Sequence, residues 1–93
     1  MTAARLDARH DAGAVVALLD RAMRDAAEGR AAGADVAPVD IHVVFLHDGG
    51  APVTAAARVC GGGKSVCFCE AEITDAGGRV VARAMGTFRQ RGR

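Results

Sequence analysis

Residues 58–70 read "RVCGGGKSVCFCE" and hold three consecutive glycines, the pair Lys64-Ser65 and every cysteine of the chain. A nucleotide loop, a metal site and a plain β-turn all use such residues, and they belong to different folds. A nucleotide loop requires G-x-x-x-x-G-K-[ST] before a helix whose N-terminus points at the phosphates. Counting back from Gly63, its first glycine falls at Arg58. The residues after Ser65 are "VCFCEAEI", which alternate as a strand does. A structural zinc site mostly uses C-x₂₋₄-C with a second pair of ligands. Cys67 and Cys69 are only two apart, and His10, His42 and His47 are all distant in sequence. The stretch therefore reads as a hairpin turn between two strands. Its thiols pack toward a helix together with Ala71 and Ile73, and no metal is expected. Glycines in such a turn supply positive φ, while unhindered N–H groups beside Lys64 also suit a phosphate or pantetheine arm.

Working outward, the sequence continues the β pattern on both sides. Segments 39–46 (VDIHVVFL), 53–60 (VTAAARVC), 64–73 (KSVCFCEAEI) and 79–88 (RVVARAMGTF) are separated by the turn-forming stretches HDGGAP, GGG and TDAGG. Links this short favour antiparallel neighbours, because a parallel pair needs a crossover of about a dozen residues. Upstream the period changes. Residues 12–28 place Val15, Leu18, Leu19, Ala22, Met23 and Ala26 on one arc, which predicts an amphipathic helix over Ala12–Glu28. Asp11 is its expected N-cap and Gly29 its expected C-terminal stop. Helix then meander is an α+β arrangement: one helix on a curved antiparallel sheet of four strands. The expected core is Val15, Leu18, Leu19, Ala22, Met23, Ile41, Val43, Val59, Cys67, Cys69, Ile73, Val80, Ala82 and Phe88. Residues 1–93 form one domain, with an N-terminal arm over 1–11 and a frayed basic tail over 89–93.

Composition narrows the function. A net charge of +1 and only three aromatics, all Phe, argue against nucleic acid and anionic membrane as partners. No run approaches the about 18 apolar residues that span a bilayer, and the N-terminus lacks the apolar core of a signal peptide, so a cytoplasmic protein is expected. A 93-residue chain whose apolar content is largely alanine is short of core-filling side chains. Pairing with a second copy through an open sheet edge would relieve this.

The pieces GAVVALLD (13–20), VDIHVVFL (39–46), GGGKS (61–65) and EAEITDAGGRVVARAMGTF (70–88) stand in one order and spacing. In that order the chain, from about Ala12 to Phe88, resembles the hotdog-fold acyl-CoA thioesterases of the phenylacetate-degradation type. The resemblance implies a hotdog-like fold, a homodimer or homotetramer, and hydrolysis of a short or aromatic acyl-CoA thioester without a cofactor beyond the CoA of the substrate. It makes Asp20 the catalytic carboxylate, as general base or nucleophile. Gly13 would sit at the helix N-terminus as oxyanion donor. Val39, Asp40 and Phe45 match acyl-pocket positions, and Gly61, Gly62, Gly63 and Lys64 match the hairpin near the CoA arm. The chain departs from the pattern where relatives carry H-G-G, since Asp11-Ala12-Gly13 stands there, and where some carry a hydroxyl, since Pro38 stands there. Only about eleven residues precede the helix, so the relatives' N-terminal strand is expected to be missing. A catalytically silent hotdog domain that binds acyl-CoA or another small ligand is the alternative reading.

Overall fold

The computed structural model describes residues 2–6, 12–31, 33, 35–47 and 52–91. Its elements are β1 (Thr2–Leu6), α1 (Ala12–Arg30), β2 (Val36–Phe45), β3 (Val53–Gly62), β4 (Val66–Asp75) and β5 (Val80–Gln90). All strand pairs are antiparallel, in the order β1-β3-β4-β5-β2.

The expected helix and four-stranded meander are present, and a fifth strand joins them. Thr2–Leu6 pairs with β3, from Thr2 opposite Ala57 to Leu6 opposite Val53, so an N-terminal strand is present where the sequence suggests an arm and a missing strand. Five residues of TAARL carry no clear alternation; the strand exists because the open edge of β3 supplies its partners. The other end is also more ordered than expected. β5 continues through Arg89 and Gln90, whose N–H donates to the Ser65 carbonyl, and the Arg91 N–H donates to the Asp35 carbonyl.

Buried Val15, Leu19, Ala22, Met23 and Ala27 form the face that α1 lays on the sheet. The helix does not stop at Gly29. The Ala31 N–H still bonds the Ala27 carbonyl, and Gly33, at φ 85°, closes the end by donating to the Glu28 carbonyl. Glycine inside a helix costs about 1 kcal/mol relative to alanine. Beyond Gly29, Arg30 offsets this by reaching the Gly61 carbonyl at 2.8 Å. The expected N-cap, Asp11, lies outside the described residues.

Opposite the helix, β4 alternates as expected: Cys67, Cys69, Ala71 and Ile73 are buried, while Phe68 and Glu72 are exposed. The Cys69 thiol donates to the Met23 carbonyl at 3.6 Å. Burial, with Cys67 and Cys60 nearby, pushes its pKa up to about 12. Where β5 passes Ile73 and Thr74 the register shifts, and Val81 and Ala82 both turn inward, so Val81 takes the core place expected of Val80. Leu18, Ile41, Val43 and Val59 are only partly buried against the core. The turn into β5 is held by Asp75, whose Oδ1 accepts from the Gly77 and Arg79 N–H groups. Those bonds, Arg79's first, hold its carboxyl below the usual value.

One helix cannot cover this sheet. A helix is about 10–12 Å across, whereas five strands about 4.8 Å apart span roughly 19 Å. β2 is the strand left out: in its run of ten only Val36 and Ala37 are buried. As an edge strand it also tolerates Pro38, which sits beside a bulge between Pro38 and Asp40. The strand consequently starts at Val36, before the proline that the sequence suggests as its boundary.

Candidate active site

Asp20 lies on the flank of α1. At about 100° per residue it stands about 60° around the helix from Met23 and about 20° from Ala27. Those two residues show which way this flank faces. Met23 Cε lies 3.3 Å from the point a Cβ on Gly86 of β5 would occupy, and Ala27 lines a cleft with Val36 of β2 and Phe88 of β5. Asp20 therefore sits on the side of the helix toward β5 and β2, where the sheet is bare. Gly86 makes room there: a Cβ would press on Phe88, Met23 and the Asp40 carbonyl at 3.1–3.3 Å.

The Asp20 side chain is 28 % exposed, and Oδ2 accepts from Arg24 Nη2 at 2.9 Å. Its Oδ1 is buried and has no hydrogen-bond partner among the described residues, and the same holds for Arg24 Nε. A carboxylate half sheltered, held by one oxygen and open at the other, is suited to taking a proton or attacking an electrophile. Arg24 escapes a reading of the sequence for motifs, although its i,i+4 spacing from Asp20 is visible in "DRAMR".

Below this flank run the inward positions of β2. Ile41, Val43 and Phe45 face Gly86, Ala84 and Ala82 of β5 in register. Phe45 is 51 % exposed and Val39, at the bulge, 56 %. Phe45 thus lies on an open apolar strip with Ile41 and Val43, which the sequence suggests as core. Val39 is instead the unpaired, exposed residue of the bulge and has no partner on β5 that fixes its face. Asp40, opposite Thr87, belongs to the other face, so the structure does not bring it together with Phe45.

Gly13 is exposed in the first turn of α1. It shares Asp20's side of the helix, but seven residues place it about 10.5 Å away along the axis. The glycine hairpin stands at the opposite end. Gly61 and Gly62 belong to β3, opposite Phe68 and Cys67. Gly62 has φ 136°, and a Cβ there would collide with the Val66 carbonyl oxygen. The Gly63 N–H is spent on Val66, and the Gly61 carbonyl on Arg30. The glycines therefore serve the hairpin, and no continuous row of free N–H groups forms as a phosphate cradle. The polar residues that line the cleft beside the C-terminal end of α1 are Lys64, Arg30, Ser65 and Gln90. Among the described residues no three His, Cys, Asp or Glu side chains gather into a metal site.

Among the described residues, one helix on an antiparallel sheet of this strand order is the hotdog arrangement, and solved structures agree. The E. coli PaaI protein from the phenylacetic acid degradation operon superposes with a TM-score of 0.89 at 22 % identity, over 97 % of this chain and 72 % of its own. The BH2602 protein from Bacillus halodurans, solved with CoA, gives 0.86 at 21 % identity, over 95 % of this chain. The present chain spans 66 % of that protein's length. A conserved Pseudomonas aeruginosa protein, PA5202, gives 0.86 at 23 % identity, over 95 % of this chain and 78 % of its own. A comparison with curated protein sequences finds no match. Residues 10–89 match the family model described as acyl-CoA thioesterase N-terminal domain, and the chain belongs to that family.

Proposed function

We propose that the chain is a cytoplasmic acyl-CoA thioesterase that hydrolyses a short or aromatic acyl-CoA thioester. Asp20 acts as general base or nucleophile, and the N-terminus of α1, at Gly13, is the oxyanion donor. The observation that carries this reading is the half-sheltered Asp20 carboxylate, with one oxygen unpaired among the described residues, above an uncovered apolar strip on β2. The strip (Ile41, Val43 and Phe45), with exposed Val39 at the bulge at its end, would receive the acyl group. Lys64 and Arg30, at the hairpin end, would meet the anionic CoA arm. Asp40 on the outer face is left without a direct part.

Gly13 and Asp20 of one chain are too far apart to touch one thioester carbonyl, since each contact needs about 3 Å. Two copies paired antiparallel through the free edge of β2 would bring the N-terminus of one helix toward the Asp20 flank of the other. Such pairing also covers the bare strip and closes an edge that invites another chain. The working unit is therefore a homodimer, or a tetramer built from it. The chemistry needs no metal or further cofactor.

The alternative, a catalytically silent domain that holds acyl-CoA or another small ligand, draws on one feature: Asp20 Oδ2 is already engaged by Arg24. Thiol release from a panel of short-chain and aryl-acyl CoA thioesters separates the two. Wild type is expected to turn over at least one of them, with Asp20→Asn losing most of the rate. Equal and negligible rates for both, with a ligand-dependent rise in melting temperature, would instead establish the binding module.

A further inference from the structure

Helix α1 carries two Asp/Arg pairs at i,i+4 spacing, and they differ. Arg21 and Asp25 approach only to 3.6 Å, with Arg21 74 % exposed; such pairs contribute little. Arg24 and Asp20 meet at 2.9 Å with side chains 36 % and 28 % exposed. An arginine and a carboxylate that satisfy each other commonly close as a fork, with two parallel N–H···O bonds. Here one bond is made, Nη2 to Oδ2. The other donor and acceptor, Arg24 Nε and Asp20 Oδ1, are left buried without partners among the described residues. Unmet buried polar atoms are costly and call for a third group. That group must accept from Nε–H and donate to Oδ1. Water does both.

We propose that Arg24 is the positioning residue of the Asp20 site, an inference that rests on the thioesterase reading above. Its Nη2 fixes Oδ2, and with it the carboxylate's rotamer, while Nε–H and Oδ1 together hold the attacking water. The water oxygen bonds to the thioester carbonyl carbon as its proton passes to Oδ1. The C–S bond then breaks, and the departing CoA thiolate takes that proton back from Asp20, giving acid and thiol. Arg24 exchanges no proton; it fixes direction, and a reacting group displaced by about 1 Å can cost on the order of 10²-fold in rate.

The test compares wild type, Arg24→Gln, Arg24→Lys and Arg21→Gln on the best CoA thioester, and follows the guanidinium N–H of Arg24 by NMR. Arg24→Gln should lower kcat on the order of 10²-fold with KM nearly unchanged, the pattern of an interaction made in the transition state. Arg24→Lys should regain part of that loss, and Arg21→Gln should match wild type. A slowly exchanging Arg24 Nε–H signal should vanish in Asp20→Asn. Wild-type kcat in Arg24→Gln, or a lysine variant no better than glutamine when both remain folded, overturns the proposal and leaves the thioesterase reading standing. If wild type hydrolyses nothing, that reading fails instead. The NMR signal then judges the clamp alone: protection lost with Asp20→Asn upholds the pairing, and fast exchange already in wild type refutes it.

Discussion

Phe88 and Phe45 are the same side chain on adjacent strands, and the fold treats them oppositely. Phe88, on β5, is 1 % exposed under the helix; Phe45, on β2, is 51 % exposed beyond it. Polarity does not explain it, since β5, with Arg83, Thr87, Arg89 and Gln90, is the more polar strand, against Asp40 and His42 in β2. What separates them is the width of a single helix, which covers the central strands and leaves the inner face of β2 bare. The comparison separates two parts of this chain: the covered strands make the core, and the uncovered one is the surface proposed above for substrate and a second copy.

The largest expected effect breaks the comparison from the core side. Phe88→Ala should destabilise the fold by about 3–5 kcal/mol in chemical denaturation. Phe45→Ala should leave the chain folded and weaken self-association, read by sedimentation. Equal losses of stability at the two positions would contradict the division. Next comes the hairpin. Gly62→Ala, at φ 136° with the Val66 carbonyl in the way, should cost more than about 1 kcal/mol. Gly29→Ala has the opposite sign. Nothing lies within 4 Å of a Cβ there and the residue is helical, so a gain of up to about 1 kcal/mol is expected. If Gly29→Ala destabilises, the helix ends where the sequence suggests and not at Gly33.

The smallest effect, nil at neutral pH, concerns the thiols. Cys69 titrates at about 12 in the fold against an ordinary thiol value of 9.0. A raised pKa means that the folded state keeps its proton while the unfolded state releases it. That contribution is complete below about pH 9 and is lost as pH rises toward 12. Denaturation curves should show stability falling through that window, less steeply in Cys69→Ala. Exposed Cys60 should label with a thiol reagent in the native state, whereas Cys67 and Cys69 should label only on unfolding.

Much of the covered region is legible in the sequence because burial imprints a period. The arc from Val15 to Met23 and the alternation of Cys67, Cys69, Ala71 and Ile73 both arise from one face meeting a core. Where one residue is inserted, as at Val81, the period slips and sequence reading chooses Val80. β1 leaves no such trace, because its strand state comes from the edge of β3. Gly29 resembles a helix stop by residue type, but the conformation that ends the helix is adopted at Gly33. The site is half legible. Asp20 stands at the border of the apolar arc, yet only the folded chain shows that Arg24 takes one of its oxygens, that Asp40 faces away from Phe45, and that Gly13 lies two turns off.

That last separation makes the shared site the central claim. The direct measurement is complementation: Asp20→Asn and Gly13→Pro variants, each unable to build a working site with itself, are unfolded together, refolded as a mixture and assayed for thiol release. Activity absent from either parent but present in the mixture is the predicted result, since each mixed dimer holds one intact Gly13–Asp20 combination across its interface. A mixture as inert as its parents, with mixed dimers shown to form, would contradict the account.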